Sequence, residues 1–173
     1  MRDGAAARLP EGSTGTDPGA LRRALGRFAT GVTVVTARAP SGQVLGLTAN
    51  SLAAVSLDPP LLLWSIGARA GSLPVFLETG WFAVNVLSAA QHALARRFAS
   101  PAPDRFMGIR WNGGLGGCPV LPGSLASFEC SLERAVQAGD HVVLIGRIHR
   151  AAEAEGDPLV FDAGRYGTAA PLP

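Results

Sequence analysis

The fold of this chain follows from one stretch, Val32-Thr33-Val34-Val35-Thr36, and from its continuation through Pro40-Ser41-Gly42 to Val44-Leu45-Gly46-Leu47-Thr48. The first segment consists of β-branched residues, which favour a pleated strand, and the Pro-Ser-Gly segment has the composition of a turn. Two strand-forming segments on either side of a turn predict a β-hairpin near the start of the chain.

The second strand of this hairpin runs into small and hydroxylated residues, Thr48-Ala49-Asn50-Ser51. The apolar segment Leu61-Leu62-Leu63-Trp64-Ser65 follows after Ser56-Leu57-Asp58-Pro59-Pro60. Small side chains at the end of a strand allow a flat ligand to lie against the backbone, so we predict a cofactor site here. The alternative is that this stretch only ends a strand in a turn.

The rest of the chain predicts further strands with interspersed helices. Asp17 is a candidate N-cap with Pro18 at the first helical position, and this helix is predicted to end near Ala29. The other predicted elements are a buried strand over 61–66, a short helix over 73–78, a strand over 81–87, a helix capped by Ser88, a half-buried strand over 126–133 with Glu129 on its solvated face, and an apolar strand over 142–148. The Gly- and Pro-rich segment 101–117 is predicted to be a long loop that acts as a lid or partner-contacting arm. Short turns between the strands favour a mostly antiparallel sheet that closes into a barrel with peripheral helices.

Composition limits the class of protein. A chain of 173 residues with 47% hydrophobic content suits one domain, and a net charge of +2 does not predict nucleic-acid binding.

Residues 1–16 have no apolar period and are predicted to be a flexible N-terminal arm, which leaves 17–173 as the domain. No segment approaches the roughly 20 apolar residues of a membrane helix, and no signal-peptide pattern is present, so we expect no membrane association and a cytoplasmic location. Cys118 and Cys130 lack the Cys-x-x-Cys spacing and are expected to be reduced, with Cys130 in the core.

Familiar catalytic patterns are absent from the sequence. The glycine cluster 113–117 does not fit Gly-x-Gly-x-x-Gly, and a chain without lysine has no P-loop. His92, His141 and His149 have no metal-ligand spacing, and no serine nucleophile elbow accompanies them, so no metal site is predicted. A reaction that needs no protein acid or nucleophile remains, such as hydride transfer between two planar cofactors.

Short motifs in a fixed order then point to a family. They are Phe28-Ala29-Thr30-Gly31-Val32-Thr33-Val34-Val35-Thr36, the 46–51 stretch with 56–60, Phe82-Ala83-Val84-Asn85-Val86-Leu87, Phe98-Ala99-Ser100, Asp104-Arg105-Phe106, Glu129-Cys130, Gly139-Asp140-His141 and Gly164-Arg165-Tyr166. From Leu21 to about Gly167 the chain resembles the short-chain flavin reductases, which supply reduced flavin to two-component monooxygenases. The resemblance implies an antiparallel split β-barrel that binds FMN or FAD at a homodimer interface and reduces it with NADH or NADPH.

The resemblance also implies a set of flavin-contacting residues. Thr48, Ala49, Asn50 and Ser51 would line the isoalloxazine ring, where backbone N–H groups stabilise negative charge at N1 and the C2 carbonyl. By the same resemblance Ser65, Asn85 and Phe98 belong to the flavin site, and Arg69 and Ser72 would hold the flavin phosphate. The family often has a second hydroxylated residue beside Ser72, whereas this chain has Ala70 and Gly71. The sequence therefore leaves open whether the flavin is FMN or FAD. Arg69 as a solvated arginine and Asn85 as a partner of neighbouring backbone remain alternatives.

The nicotinamide side is implied in the same way. His141 would help to position the nicotinamide nucleotide, and Arg165 with Tyr166 would contact the dinucleotide or the flavin edge. The alternatives are a histidine that packs locally in a turn and an anchor at the end of the domain.

We therefore expect an NAD(P)H:flavin oxidoreductase whose partners are flavin, a nicotinamide nucleotide, a monooxygenase component and a second copy of the chain. One alternative is a flavin-binding module or redox sensor without significant turnover. Another is a relative of the pyridoxamine phosphate oxidases, for which no substrate-specific basic residues are identified.

Overall fold

The computed structural model describes residues 17–170, and the arm predicted at 1–16 lies outside these residues. Within them the chain forms three α-helices and twelve strands. The helices are α1 (Pro18–Leu25), α2 (Leu73–Thr79) and α3 (His92–Ala99). The strands are β1 (Thr30–Gly31), β2 (Thr33–Arg38), β3 (Val44–Ala49), β4 (Ala53–Leu57), β5 (Pro60–Gly67), β6 (Trp81–Val86), β7 (Asn112–Gly113), β8 (Pro119–Val120), β9 (Ala126–Ala138), β10 (His141–Glu153), β11 (Leu159–Asp162) and β12 (Arg165–Thr168).

Seven of the strands form the main sheet, in the order β3-β2-β6-β9-β10-β5-β4. A second sheet has the order β1-β11-β12, and β7 pairs with β8. Every pairing among them is antiparallel. The prediction of a mostly antiparallel β fold with peripheral helices is confirmed, and edges at β3 and β4 are consistent with a split rather than a closed barrel.

The predicted hairpin is the pair β2–β3, in register from Thr33 opposite Ala49 to Arg38 opposite Val44. Gly46 on β3 lies against the ring of Phe98 on α3, and a Cβ added at Gly46 would come within 2.9 Å of that ring. Glycine at this position therefore lets α3 pack directly on the strand that leads to the predicted site.

Two groups of buried side chains form the core. Trp64, Phe76 and Phe82 occupy the first, inside the main sheet, with Phe76 4.9 Å and Phe82 5.9 Å from Trp64 between ring centroids. The second contains Phe98 and Phe106, whose ring centroids lie 4.9 Å apart, and packs between α3 and the sheet. In both groups the large rings pack edge to face, which is a favourable arrangement for aromatic pairs.

Helix α1 begins as predicted but ends earlier. The Asp17 carboxylate accepts hydrogen bonds from the backbone N–H groups of Gly19 and Ala20, each at 3.0 Å. After Leu25 the chain turns away from the helix, and none of the residues of α1 is buried. The predicted end near Ala29 was wrong because the apolar period alone does not show that Gly26 ends the helix.

The segment 101–117 is irregular, as predicted, apart from β7 and a 3-10 turn at Leu115–Gly117. Phe106 is buried in the second core group, and Ile109 and Trp111 pack against it. These contacts fasten the loop to the barrel. A lid or partner-contacting role for it remains a prediction.

The long hairpin β9–β10 extends beyond the predicted strands. Glu129 was expected on the solvated face of β9, and this expectation was wrong, because its side chain is buried. Its carboxylate accepts a hydrogen bond from the backbone N–H of Leu115 at 2.6 Å and pairs with Arg150 at 3.1 Å. The hairpin β11–β12 was not predicted; it turns at Ala163, with φ 47°, and Gly164, with φ 81°.

Candidate functional site

A cavity of about 590 Å³ opens between the ends of β3 and β5. Its walls are formed by Leu47, Thr48, Ala49, Asn50, Ser51, Ser65, Ile66, Gly67, Ala70, Gly71, Ser72, Arg105 and His141. The structure thus brings together seven of the residues predicted from sequence, namely Thr48, Ala49, Asn50, Ser51, Ser65, Ser72 and His141. We call this space the ring cavity.

The floor of the ring cavity is the end of β3. The Thr48 hydroxyl donates to the carbonyl oxygen of Ala95 on α3 at 2.7 Å, and the Thr33 hydroxyl donates to the carbonyl oxygen of Ala49 at 2.7 Å. These bonds hold the backbone in place. Because residues two apart in a strand point their backbone groups to the same side, Thr48 presents its N–H toward the open edge that Gly46 also faces.

Ser51 and Ser65 join the floor to the opposite wall. The backbone N–H of Ser65 donates to the Ser51 hydroxyl at 2.9 Å, and this hydroxyl donates to the Ser65 carbonyl oxygen at 3.3 Å. The Ser51 side chain therefore closes the gap between the chain after β3 and strand β5.

Arg105 is the site residue that the sequence prediction missed. It lines both the ring cavity and a neighbouring cavity of about 780 Å³, and Gly71 and Ser72 also border both. Its guanidinium donates from Nη1 to the Gly46 carbonyl oxygen at 2.9 Å, whereas its buried Nε has no hydrogen-bond partner within residues 17–170. The motif Asp104-Arg105-Phe106 was the signal that could have identified it.

Arg105 and Ser72 line the same two cavities, and a guanidinium together with a hydroxyl group suits an anion. Ser72 makes no capping hydrogen bond with its side chain, so its hydroxyl is available at the same wall as Arg105. Arginine recognises phosphate through several N–H donors at once. The residues at this end of the ring cavity therefore fit the phosphate group of a flavin nucleotide.

Arg69 lies at a different place from Ser72. It lines a cavity of about 730 Å³ formed by the loop after β5 and by the turn Gly139, Asp140 and His141. The structure thus puts Arg69 beside His141 and does not place it in the ring cavity.

His141 begins β10 and lines both the ring cavity and the cavity that contains Arg69. Its Nδ1 lies 2.8 Å from Oδ1 of Asp140. The hydrogen bond from His141 holds the pKa of the Asp140 carboxyl below its usual value, with the charge of the ring as a further cause. An ionised Asp140 orients the imidazole through Nδ1.

Tyr166 reaches the other side of the floor. It borders a small cavity of about 120 Å³ that also has Thr48, Ala49 and Asn50 in its wall. Its ring lies 5.1 Å from that of His92 and 5.3 Å from that of Phe161, between centroids. Arg165 is exposed near the hairpin tip, opposite Asp162 in register, and borders neither this cavity nor the ring cavity.

Asn85 and Phe98 do not line the ring cavity, so the structure does not bring these two predicted contacts together with the others. Asn85 is fully buried, and its amide donates to the carbonyl oxygens of Val34 at 3.1 Å and Pro119 at 3.4 Å while accepting from the Leu121 N–H at 2.8 Å. The alternative role, satisfying neighbouring backbone groups, describes Asn85. Phe98 is 1% exposed and supports β3 from the core side.

Reactive groups are scarce elsewhere in residues 17–170. Cys118 and Cys130 are free and buried, as predicted for Cys130. Burial raises the pKa of the Cys118 thiol to about 11 and that of the Cys130 thiol to about 12. No group of three His, Cys, Asp or Glu side chains in this part of the chain is arranged to hold a metal ion. None of the described helices is long and apolar enough to cross a membrane.

Comparison with known proteins agrees with this geometry. Residues 25–170 match the model of the family described as flavin reductase like domain. The chain is 47% identical over 153 residues to an FMN reductase (NADH), SmoA, of Agrobacterium fabrum (strain C58 / ATCC 33970), covering 88% of this chain and 87% of that one. It is 42% identical over 151 residues to HsaB, the reductase subunit of a flavin-dependent monooxygenase of Rhodococcus jostii (strain RHA1), covering 87% of this chain and 77% of that one.

A solved structure of the Streptomyces globisporus C-1027 NADH:FAD oxidoreductase SgcE6, in complex with NAD and FAD fragments, superimposes with a TM-score of 0.85 at 38% identity, covering 90% of this chain and 94% of that one. Some curated relatives are longer, and the chain spans 49% and 65% of two proteins of Rhizobium meliloti (strain 1021). The chain belongs to the flavin reductase-like family.

Proposed function

We propose that the protein is an NAD(P)H:flavin oxidoreductase that reduces FMN or FAD and passes the reduced flavin to a partner monooxygenase. The observation that carries this proposal is the ring cavity, which small residues of the β3 end line together with Arg105 and His141. The relatives named as an NADH-dependent FMN reductase and as a monooxygenase reductase subunit support it.

In this proposal the floor residues hold the flavin ring. Thr48, Ala49 and Asn50 offer small side chains and backbone groups on which the ring lies, and Ser51 with Ser65 forms the facing wall. Arg105 and Ser72 bind the phosphate. Backbone N–H groups beside the ring favour the negative charge that it gains on reduction, and they need no reorganisation because β3 is fixed by its hydrogen bonds.

The nicotinamide nucleotide binds on the exposed side, next to His141. In this proposal His141 orients the nicotinamide. Oδ1 of Asp140, 2.8 Å from Nδ1 of His141, holds the imidazole ring in place. Tyr166 borders the floor from the opposite side and contacts the dinucleotide or the flavin edge. Arg69, beside the His141 turn, contributes positive charge at the same end of the site.

Reduced nicotinamide supplies the hydride from C4 and the flavin accepts it at N5. The protein residues contribute orientation and electrostatics, since close alignment of two reactants lowers the barrier without an acid or a nucleophile. The cavity is open to solvent, which fits a flavin that enters and leaves as a substrate in each cycle.

The test is steady-state oxidation of NADH and of NADPH with FMN, FAD and riboflavin compared side by side. We expect oxidation that depends on added flavin and a purified protein that is colourless. No oxidation with any of the six pairs would refute a reductase. If such a protein still bound flavin, the alternative function of a flavin-binding module or redox sensor would replace it.

The His141→Ala variant separates these two functions further. In a reductase this change should raise the KM for the nicotinamide nucleotide several-fold and leave the KM for flavin near its original value. A matched control is His149→Ala, because His149 lies on the sheet next to Ser131 and Trp81 and borders none of the cavities described above. Equal effects of the two substitutions would argue against a nicotinamide role for His141.

We further infer a cytoplasmic homodimer in which residues 17–173 form one domain. Helix α1 supports the dimer, because Leu21, Leu25 and Phe28 in and after it are exposed, Phe28 to 78%. Leu57 at the end of the edge strand β4 is 94% exposed. Exposed apolar side chains of this kind favour association. Light scattering should give twice the mass of the 17.8 kDa chain, and a monomer would contradict the proposal.

A further inference from the structure

A second basic cavity lies outside the ring cavity, between α1 and the tip of the β11–β12 hairpin. It has a volume of about 530 Å³. Its walls are Arg22, Arg23, Gly26, Arg27, Ala163 and Gly164, and we call it the arginine pocket. The backbone N–H of Ala163 donates to the Gly26 carbonyl oxygen at 2.9 Å, which holds the helix end and the hairpin tip together.

The arginine pocket concentrates uncompensated positive charge. Of its three arginines, only Arg23 forms an ion pair within the described residues, with Asp17 at 3.9 Å, and both of these side chains are exposed. Arg22 and Arg27 have no carboxylate within 4.0 Å in the same part of the chain. The guanidinium of Arg23 points back to the start of α1, where a Cβ added at Gly19 would lie 3.4 Å from its Nη1. Arg22 and Arg27 therefore carry the positive charge beside the cavity that no described carboxylate pairs with, and an anion near both of them lowers the electrostatic energy.

The opposite wall of the pocket permits close approach. Gly164 and Gly26 have no side chain, and Ala163 has only a methyl group. The positive φ values of 47° at Ala163 and 81° at Gly164 form the tight turn that keeps this wall small. A phosphate group can therefore approach the guanidinium groups without meeting a bulky side chain.

Tyr166 and Arg22 relate the pocket to the residues of the site. Tyr166 follows Gly164 by two residues, so its side chain starts about 7 Å along the strand from the hairpin tip, and it borders the floor residues Thr48 and Asn50. On the helix side, the positive charge of Arg22 is one of the smaller causes that lower the pKa of Asp140, the hydrogen-bond partner of His141. Both walls of the pocket thus connect to residues around the ring cavity.

We propose that the arginine pocket binds a phosphate of the nicotinamide dinucleotide, with Arg22 and Arg27 as its main contacts. The inference rests on the proposed reductase function and adds to it the residues that hold the part of the dinucleotide remote from the reacting ring. The phosphate is either part of the bridging diphosphate, which NADH and NADPH share, or the 2′-phosphate of NADPH. Guanidinium groups suit both because they donate two hydrogen bonds to one phosphate.

The test compares the wild type with the double variant Arg22→Ala/Arg27→Ala in steady-state assays with saturating FMN. The KM for the dinucleotide should rise on the order of tenfold, as expected for the loss of two largely exposed charge pairs. The kcat and the KM for FMN should stay near their original values, because neither arginine lies in the ring cavity. The matched control is Arg96→Ala, an exposed arginine on α3 that borders none of the cavities described above.

Two further measurements separate phosphate binding from a structural role. The variant Arg22→Lys/Arg27→Lys keeps the charges and should recover part of the affinity. Raising the ionic strength from 0.01 to 0.15 M shortens the screening length from about 30 to about 8 Å. The KM of the wild type should therefore rise with salt, and that of the alanine variant should rise much less.

A comparison of the KM values for NADH and NADPH identifies which phosphate group the pocket binds. A rise in the KM for both NADH and NADPH assigns the pocket to the bridging diphosphate, whereas a rise for NADPH alone assigns it to the 2′-phosphate. Unchanged KM values for both, or an equal rise in Arg96→Ala, would overturn the proposal. Unchanged KM values together with weaker coupling to an oxygenase would make the pocket a protein-docking surface instead. A wild type that oxidises neither dinucleotide would refute the reductase function itself, which is a different result.

Discussion

Arg105 donates a hydrogen bond from Nη1 to the carbonyl oxygen of Gly46 at 2.9 Å, across 59 positions of sequence. This bond fastens the long loop to the strand whose end forms the floor of the ring cavity. Arg105 also lines the ring cavity, and its buried Nε has no hydrogen-bond partner among the described residues. The same side chain thus supports the floor and borders the space that a ligand would occupy.

Substitution Arg105→Ala should raise the KM for FMN and FAD on the order of tenfold, because a charge-assisted hydrogen bond to phosphate is lost. Riboflavin has no phosphate, so its KM should change much less. Arg110→Ala, an exposed position in the same loop, is the control and should have no effect. An equal rise for FMN and riboflavin would show that Arg105 acts only by supporting the floor.

Asn85→Ala should cost stability and spare the site. The change removes an amide with three backbone partners and leaves buried groups unpaired, so the free energy of unfolding should fall by roughly 2–4 kcal/mol. Urea unfolding measures this, and Asn112→Ala, at an exposed position, should change it by less than about 0.5 kcal/mol. A large rise in the flavin KM with little loss of stability would show instead that Asn85 contacts the flavin.

Gly46→Ala tests the close packing of β3 on α3. Its methyl group would lie 2.9 Å from Cε1 of Phe98 and 3.3 Å from Cγ2 of Thr36, both in tightly packed surroundings. Overpacking of this kind should lower the free energy of unfolding by about 1–3 kcal/mol. Gly67→Ala is the matched control, since a Cβ there meets no atom of the described residues within 4 Å. Equal stability of the two variants would mean that α3 shifts to make room for the methyl group without lowering the free energy of unfolding.

The two buried thiols predict that the free energy of unfolding falls in the alkaline pH range. Their pKa values of about 11 for Cys118 and about 12 for Cys130 lie above the 9.0 of an ordinary thiol, so the unfolded chain loses these protons first. The stability that they contribute is complete below pH 9 and is lost as the pH rises through the folded values. Unfolding midpoints should therefore fall from pH 8 to pH 10, and less so in Cys118→Ala/Cys130→Ala.

Thiol labelling checks the same point directly. At pH 8 the native protein should not react with a disulfide reagent, because both thiols are buried and protonated. In denaturant both should react. Rapid labelling of the native protein at either position would contradict the buried placement.

Most strands could be predicted from the sequence because their signals are local. The β-branched residues around Val34, the turn at Gly42 and the alternation along β9 each depend on neighbours within a few positions. The β11–β12 hairpin escaped prediction because Ala163, with φ 47°, carries no turn signature of its own. The end of α1 was misplaced because the apolar residues after Leu25 continue the helical pattern without being buried.

The candidate site also contains residues that the sequence identified and residues that only the fold revealed. Thr48 to Ser51, Ser72 and His141 were identified from motifs, and the fold brings them to one cavity. Arg105 was missed and Arg69 lies elsewhere, since the position of an arginine head group depends on which loop packs beside it. Glu129 was expected in solvent, but Leu115 and Arg150, distant in sequence, provide partners that make its burial possible.

By itself the sequence determined the hairpin, the order of the strands along the chain and the motifs that mark the family, because periodicity and turn chemistry act over short distances. Only the tertiary structure decided which polar groups meet: Arg105 with Gly46, Asn85 with the backbone of Val34, and the arginines of α1 with the hairpin tip. Those pairings depend on register and sheet curvature, which place residues far apart in sequence within hydrogen-bonding distance of each other.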